Sequence, residues 1–279
     1  EIDDQKGVAN NYIDIGIISS NKSNYETAEE YYKKGIAILE EISDSAGLSK
    51  AYRNVGNVFY YMGDPDQAVE YYQKSLVISE KINDLENVSR CYNNIGLIYK
   101  ERKLFNWAED YFNKSLVLKQ KLGDKRGIAT SYNNLGDVFF DQENYDEALK
   151  YYQMSLTLRE EIKHKRDEAF SLGNIGRVLT IKKNYPEAEK YYQRALKINQ
   201  EIADAERQSV VLTELAFLYY HNKKYAQAIK YAEQAIEIGN QLKTLPRLRD
   251  AYEVLAKVYE SQNNRSEEHT SELQSRQVI

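Results

Sequence analysis

Asn54, Asn94, Asn134 and Asn174 stand forty residues apart, and each comes two places before a glycine. A primary amide offers two N–H donors and a carbonyl acceptor, the complement of the C=O and N–H of an extended backbone. Repeated at one phase of a helical array, such amides are suited to holding an extended chain by its main chain. Asn57 adds a further amide, one place after Gly56. Lys50, Arg53 and Arg90 make the neighbourhood of the first two ladder asparagines basic, which suits an acidic side chain or a C-terminal carboxylate. Arg177 follows Gly176, and Phe170, Phe217 and Tyr220 offer apolar contact further along.

A plainer alternative is that duplication copied an asparagine that merely stays solvated. Against it, the place after each glycine has diverged freely, to Asn57, Leu97, Asp137 and Arg177. The place two before stays asparagine in four adjacent repeats, at a helix cost of roughly a few tenths of a kcal/mol each.

Nothing else in the chain assembles a reaction. Cys91 occupies a phase that holds Ala51, Ser131, Ser171 and Ala251 in other repeats, so it is expected to pack rather than react. His164 falls at a turn between repeats and His221 at a helix end, with no metal-ligand spacing between them. No nucleophile motif and no phosphate-cradling glycine loop occurs. The expectation is a non-enzyme with no cofactor and no metal.

The elements that must carry these groups follow from the periodicity. Every fortieth residue gives Gly16, Gly56, Gly96, Gly136, Gly176, Ala216 and Ala256, and likewise Ala28, Ala68, Ala108, Ala148, Ala188 and Ala228. Each period reads as two helices. In the first, Tyr132, Leu135, Gly136 and Phe139 fall on one face. The small residue admits a close partner helix. The second carries an alanine and an aromatic pair such as Tyr71 and Tyr72. Asp44, Asp84, Asp124 and Asp204 stand where the next helix begins, as N-caps. At about 100° per residue, the asparagine stripe lies roughly 180° from the glycine stripe.

This pattern resembles the tetratricopeptide repeat, in a form of forty residues rather than 34. The family's signature of large, Leu-Gly, Tyr, Ala, Phe and Ala falls on Tyr132, Leu135, Gly136, Phe139, Ala148, Tyr152 and Ser155. The closing proline is absent, with Glu40, Glu80 and Gln120 in its place, which lengthens the second helix. The resemblance implies an all-α, right-handed α-solenoid of tandem helix-turn-helix repeats, with six full repeats and the first helix of a seventh over 1–264. It implies a protein or peptide partner held in the concave groove by Asn54, Asn94, Asn134 and Asn174. The alternative it allows is a sensory or regulatory module of a larger bacterial signalling protein carrying a kinase, cyclase or transcription regulator. The family's dicarboxylate clamp is not matched in full.

Composition agrees with this reading. Of 279 residues, 42% are hydrophobic and 29% charged, so there is enough apolar surface to bury. A net charge of -5 argues against nucleic acid as the partner. No apolar run approaches the roughly 20 residues that span a bilayer. One cysteine excludes an intrachain disulfide and fits a reducing, cytoplasmic setting. The chain opens at Glu1, so upstream residues are expected. The segment Arg265 to Ser275 breaks the register and resembles a translated sequencing adapter, so 265–279 is expected to be a non-native tail.

Overall fold

A beat of twenty residues builds the fold. Seventeen or so residues form a helix and three form the turn, whose middle residue adopts the left-handed conformation. Gly63 and Gly123 take that role twice, at φ of 81° and 67°. Elsewhere a side chain bears it, among them Ser43, Asn83, Lys163 and Ala203. The next amide then reaches back to close the helix end, as from Asp44 to the Leu39 carbonyl (2.9 Å) and from Asp204 to Asn199 (2.9 Å).

This computed structural model describes residues 2–242 and 248–262. Among them there is no strand. The chain divides into two compact units, Glu1–Asn144 and Tyr145–Ile279. The first holds α1 (Ile2–Asn21), α2 (Tyr25–Glu41), α3 (Ser45–Met62), α4 (Pro65–Lys81), α5 (Leu85–Glu101), α6 (Phe105–Leu122) and α7 (Lys125–Asp141). The second holds α8 (Tyr145–Glu161), α9 (Lys165–Ile181), α10 (Tyr185–Glu201), α11 (Ala205–His221) and α12 (Tyr225–Leu242). A further helix, α13, covers 248–262. The proposed tail, 265–279, lies outside the described residues.

Helix starts are fixed locally. The carboxylates of Asp44, Asp84, Asp124 and Asp204 accept from the amides of Gly47, Asn87, Gly127 and Arg207 at 2.9–3.2 Å. These are the N-caps expected from the sequence. His164 takes the same place before α9, its Nδ1 accepting weakly from the Asp167 amide at 3.4 Å.

The core of each unit repeats one contact. A ring from the second helix closes on the glycine of the first through its Cδ1–Cε1 edge: Tyr32 on Gly16, Tyr72 on Gly56, Phe112 on Gly96 and Tyr192 on Gly176. A Cβ on Gly96 would stand 2.7 Å from Phe112, closer than real side chains come. The glycine is therefore required for close approach, as expected. The alanines at 28, 68, 108, 148, 188 and 228 are all fully buried.

Within the units each helix packs on the next from α1 to α7 and from α8 to α12, which is the stacked, all-α solenoid architecture. First helices also touch one another, α1 to α3 to α5 to α7 in the first unit and α9 to α11 in the second. Their shared wall carries the asparagine stripe.

Candidate functional site

In the first unit the stripe is a set of ties between neighbouring first helices. Asn94 on α5 donates from Nδ2 to Oδ1 of Asn57 on α3 (2.9 Å), and the Tyr72 hydroxyl donates to the same oxygen (2.8 Å). Asn134 on α7 donates to Oδ1 of Asn93 on α5 (2.9 Å). Asn54 is half-buried and accepts from Arg53 at 3.4 Å. Asn134 and, in the second unit, Asn174 are only 9% and 8% exposed. The asparagines are therefore not a solvated inheritance, and packing between helices accounts for part of their recurrence.

The basic end differs from its expected form. Arg53 turns inward and donates to Oδ1 of the buried Asn87, whose Nδ2 in turn donates to Ser75 (2.8 Å) and Ser79 (2.7 Å). Burial lowers the pKa of its guanidinium. Arg90 is exposed but pairs with Glu86 one turn away on α5 (2.5 Å). Lys50 alone of the three stands exposed without a carboxylate beside it among the described pairs. Cys91 is buried against Ser75, and burial pushes its thiol up to about 11, which suits packing rather than nucleophilic work.

In the second unit the stripe opens into a cleft of about 540 Å³ between α9 and α11. Five stripe positions line it: Phe170, Asn174, Arg177, Val210 and Glu214. Gly173 adjoins them, and Asn199 closes the inner end from α10. Glu214 accepts from the Tyr192 hydroxyl at 3.2 Å. Burial raises the pKa of Glu214, and the Arg177 guanidinium partly offsets it.

The apolar patch expected around Phe170 and Phe217 is ringed by cations. The Phe170 ring lies 5.2 Å from the Arg207 guanidinium and 5.8 Å from that of Arg159. Phe217 lies under Lys257 at 5.3 Å. Arg166 and Arg207 both point Nε at Asp204, at 2.8 Å and 3.6 Å. Sequence reasoning missed Arg166, Arg207 and Asn199 because they lie off the stripe. Gly173 was visible beside Asn174, where earlier repeats carry Arg53, Asn93 and Asn133. Among the described residues no group of His, Cys, Asp and Glu is placed to hold a metal.

Family models of the tetratricopeptide repeat match residues 47–121, 127–201 and 207–277, and a second model of the repeat matches 9–38. No curated protein sequence matches the chain significantly. Among solved structures, a signal-transduction ATPase with numerous domains and a tetratricopeptide repeat sensor, from Pyrococcus horikoshii, superposes with a TM-score of 0.76 at 22% identity. That match covers 94% of this chain and 41% of the larger protein. A Rap protein complexed with competence and sporulation factor gives a TM-score of 0.63 at 19% identity, covering 91% of this chain and 75% of that one. BtubC from P. vanneervenii gives 0.65 at 22%, covering 71% and 82%.

Proposed function

The chain belongs to the tetratricopeptide repeat family, and we propose that it is a non-catalytic scaffold that holds an extended peptide or partner segment along its first helices. The observation that carries the reading is the cleft in the second unit, lined by the positions that the repeat phase singled out. An extended chain rises about 3.3 Å per residue, and packed helices sit roughly 8–10 Å apart. Each first helix therefore meets about every third ligand residue. The bond to Asn57 uses one of two N–H groups on Asn94, so the amide keeps capacity for a ligand. The Rap protein complexed with competence and sporulation factor is a precedent for the architecture, and the buried free thiol of Cys91 suits a cytoplasmic setting.

Peptides selected from a random library against the full chain test this. Lys50→Glu and Phe170→Glu, at exposed stripe positions, should each weaken selected binders about tenfold. Val117→Glu, on the exposed side of α6 at 60% exposure, should not. Binders that respond only to Val117→Glu would overturn the groove.

A second reading is favoured by the ATPase that carries its repeats as a sensor, since this chain spans 41% of that protein. In that case the groove is the input of a larger signalling protein. Sequencing the source locus on both sides of this frame decides it: an effector domain in frame supports the sensor, and a stop within one or two helices refutes it.

A further inference from the structure

Gly173 sits in the interior of α9, where glycine costs about 1 kcal/mol relative to alanine. Packing does not require it: a Cβ there would meet no heavy atom within 4 Å, whereas at Gly176, one turn on, it would stand 2.7 Å from the Tyr192 ring. The visible consequence of Gly173 is space, and that space opens on the cleft between α9 and α11.

The inner end of the cleft holds an unmet acceptor. Asn199 is 1% exposed, and its Oδ1 has no hydrogen-bond donor. The cause lies in the repeat. One period earlier Arg159 reaches Ser171 (2.8 Å), and a period before that Lys119 reaches Ser131 (3.1 Å). The corresponding place in the sixth period holds Val211, which has no hydroxyl. A buried acceptor left so is costly, and a ligand that supplies a donor recovers that cost.

The rest of the lining narrows the donor. Phe170, 40% exposed, offers a ring face, and Val210 and Val211 offer apolar walls. Arg166 donates from Nε to Asp204 (2.8 Å), Arg207 stands 3.6 Å from the same carboxylate, and both guanidinium groups stay exposed enough to donate to an acceptor on a ligand. A hydroxyl donates and accepts at once. A carboxylate has no proton for Asn199 and meets Glu206 and Glu214. An ammonium group meets three arginines. A plain phenyl ring leaves Asn199 unmet.

We propose that this cleft is a pocket for a tyrosine side chain of the bound peptide, its ring over Gly173 against Phe170 and its hydroxyl towards Asn199. The pocket rests on the peptide-groove reading and names its anchor. The ring supplies apolar area and the hydroxyl supplies selectivity, because a site with an unmet polar group discriminates against the analogue that cannot pair with it.

The test is an NMR titration of the full chain with the N-acetyl amides of tyrosine, phenylalanine and glutamate. Tyrosine should shift the Gly173 and Asn174 amide signals and bind about fivefold or more tightly than phenylalanine. Gly173→Asn, whose Cβ would meet no heavy atom within 4 Å and whose amide extends into the space, should remove that binding at least tenfold while the melting temperature rises. Val211→Thr, which gives Asn199 a hydroxyl partner, should leave binding but level tyrosine with phenylalanine. Equal binding of phenylalanine to the wild type, preference for glutamate, or no shift at Gly173 overturns the pocket. Library peptides that bind regardless of Gly173→Asn refute the pocket alone, and a library that yields no binder refutes the groove itself.

Discussion

Asn94 and Asn57 are joined across neighbouring first helices, Nδ2 to Oδ1 at 2.9 Å, although they occupy different phases of the repeat. The tie explains why a weak helix former persists on this face. It also fixes the orientation of one amide group that a ligand would read. A double-mutant cycle with Asn57→Ala and Asn94→Ala should give a coupling of about 1 kcal/mol in unfolding free energy. Additive effects would show that the pair contributes nothing to stability.

Lys119 is buried, at 6% exposure, with its Nζ on Ser131. Burial drops its pKa from 10.5 to about 8, Asp124 opposing and Arg90 adding to the effect. A lysine depressed in the fold costs stability while it is protonated there, and by linkage the cost is on the order of 1–3 kcal/mol. Below about 8 the cost is present in full, and it fades as pH rises towards 10.5. Lys119→Met should therefore melt higher than the wild type at pH 7, and the gap should close between pH 8 and 10. A gap that does not change with pH would contradict the burial of a charge.

Gly96→Ala should destabilise the first unit by about 1–2 kcal/mol, since overpacking against Phe112 outweighs the gain in helix propensity. The sixth period carries buried Ala216 and Ala232 where the others place glycine and a ring. There the reverse change, Ala216→Gly, should also destabilise, by about 1 kcal/mol. Thermal unfolding should show both variants melting below the wild type, and a stabilised Gly96→Ala would refute the close-packed ring.

Ala203 adopts a left-handed φ of 53° at the turn before α11. Glycine bears that conformation without the Cβ conflict, so Ala203→Gly should stabilise by up to about 1 kcal/mol, against the usual direction of such a change. A lower denaturation midpoint for the variant would contradict the turn geometry.

Residues compared at equal phase made the helix pairs, the glycine–ring contact and the aspartate caps readable before any coordinates. Those features depend only on what recurs. The inward turn of Arg53 was not legible, because its partner, Asn87, and the serines behind it come from α4 and α5 at phases where the other repeats differ. The tie from Asn94 to Asn57 escaped for the same reason. Asn199 became informative only with Val211 beside it in mind, a missing hydroxyl that no motif announces. Arg166 and Arg207 enter the cleft from the first turn of their helices, off the stripe that periodicity defines.

Amide hydrogen exchange on the full chain, with and without a library-selected peptide, tests the central claim most directly. The groove account predicts slowed exchange in the first helices, at α3 and α5 or around Phe170 to Arg177 and Val210 to Glu214, with the second helices unchanged. Slowing confined to α4, α6, α10 or α12 would place the ligand on the other face and contradict it.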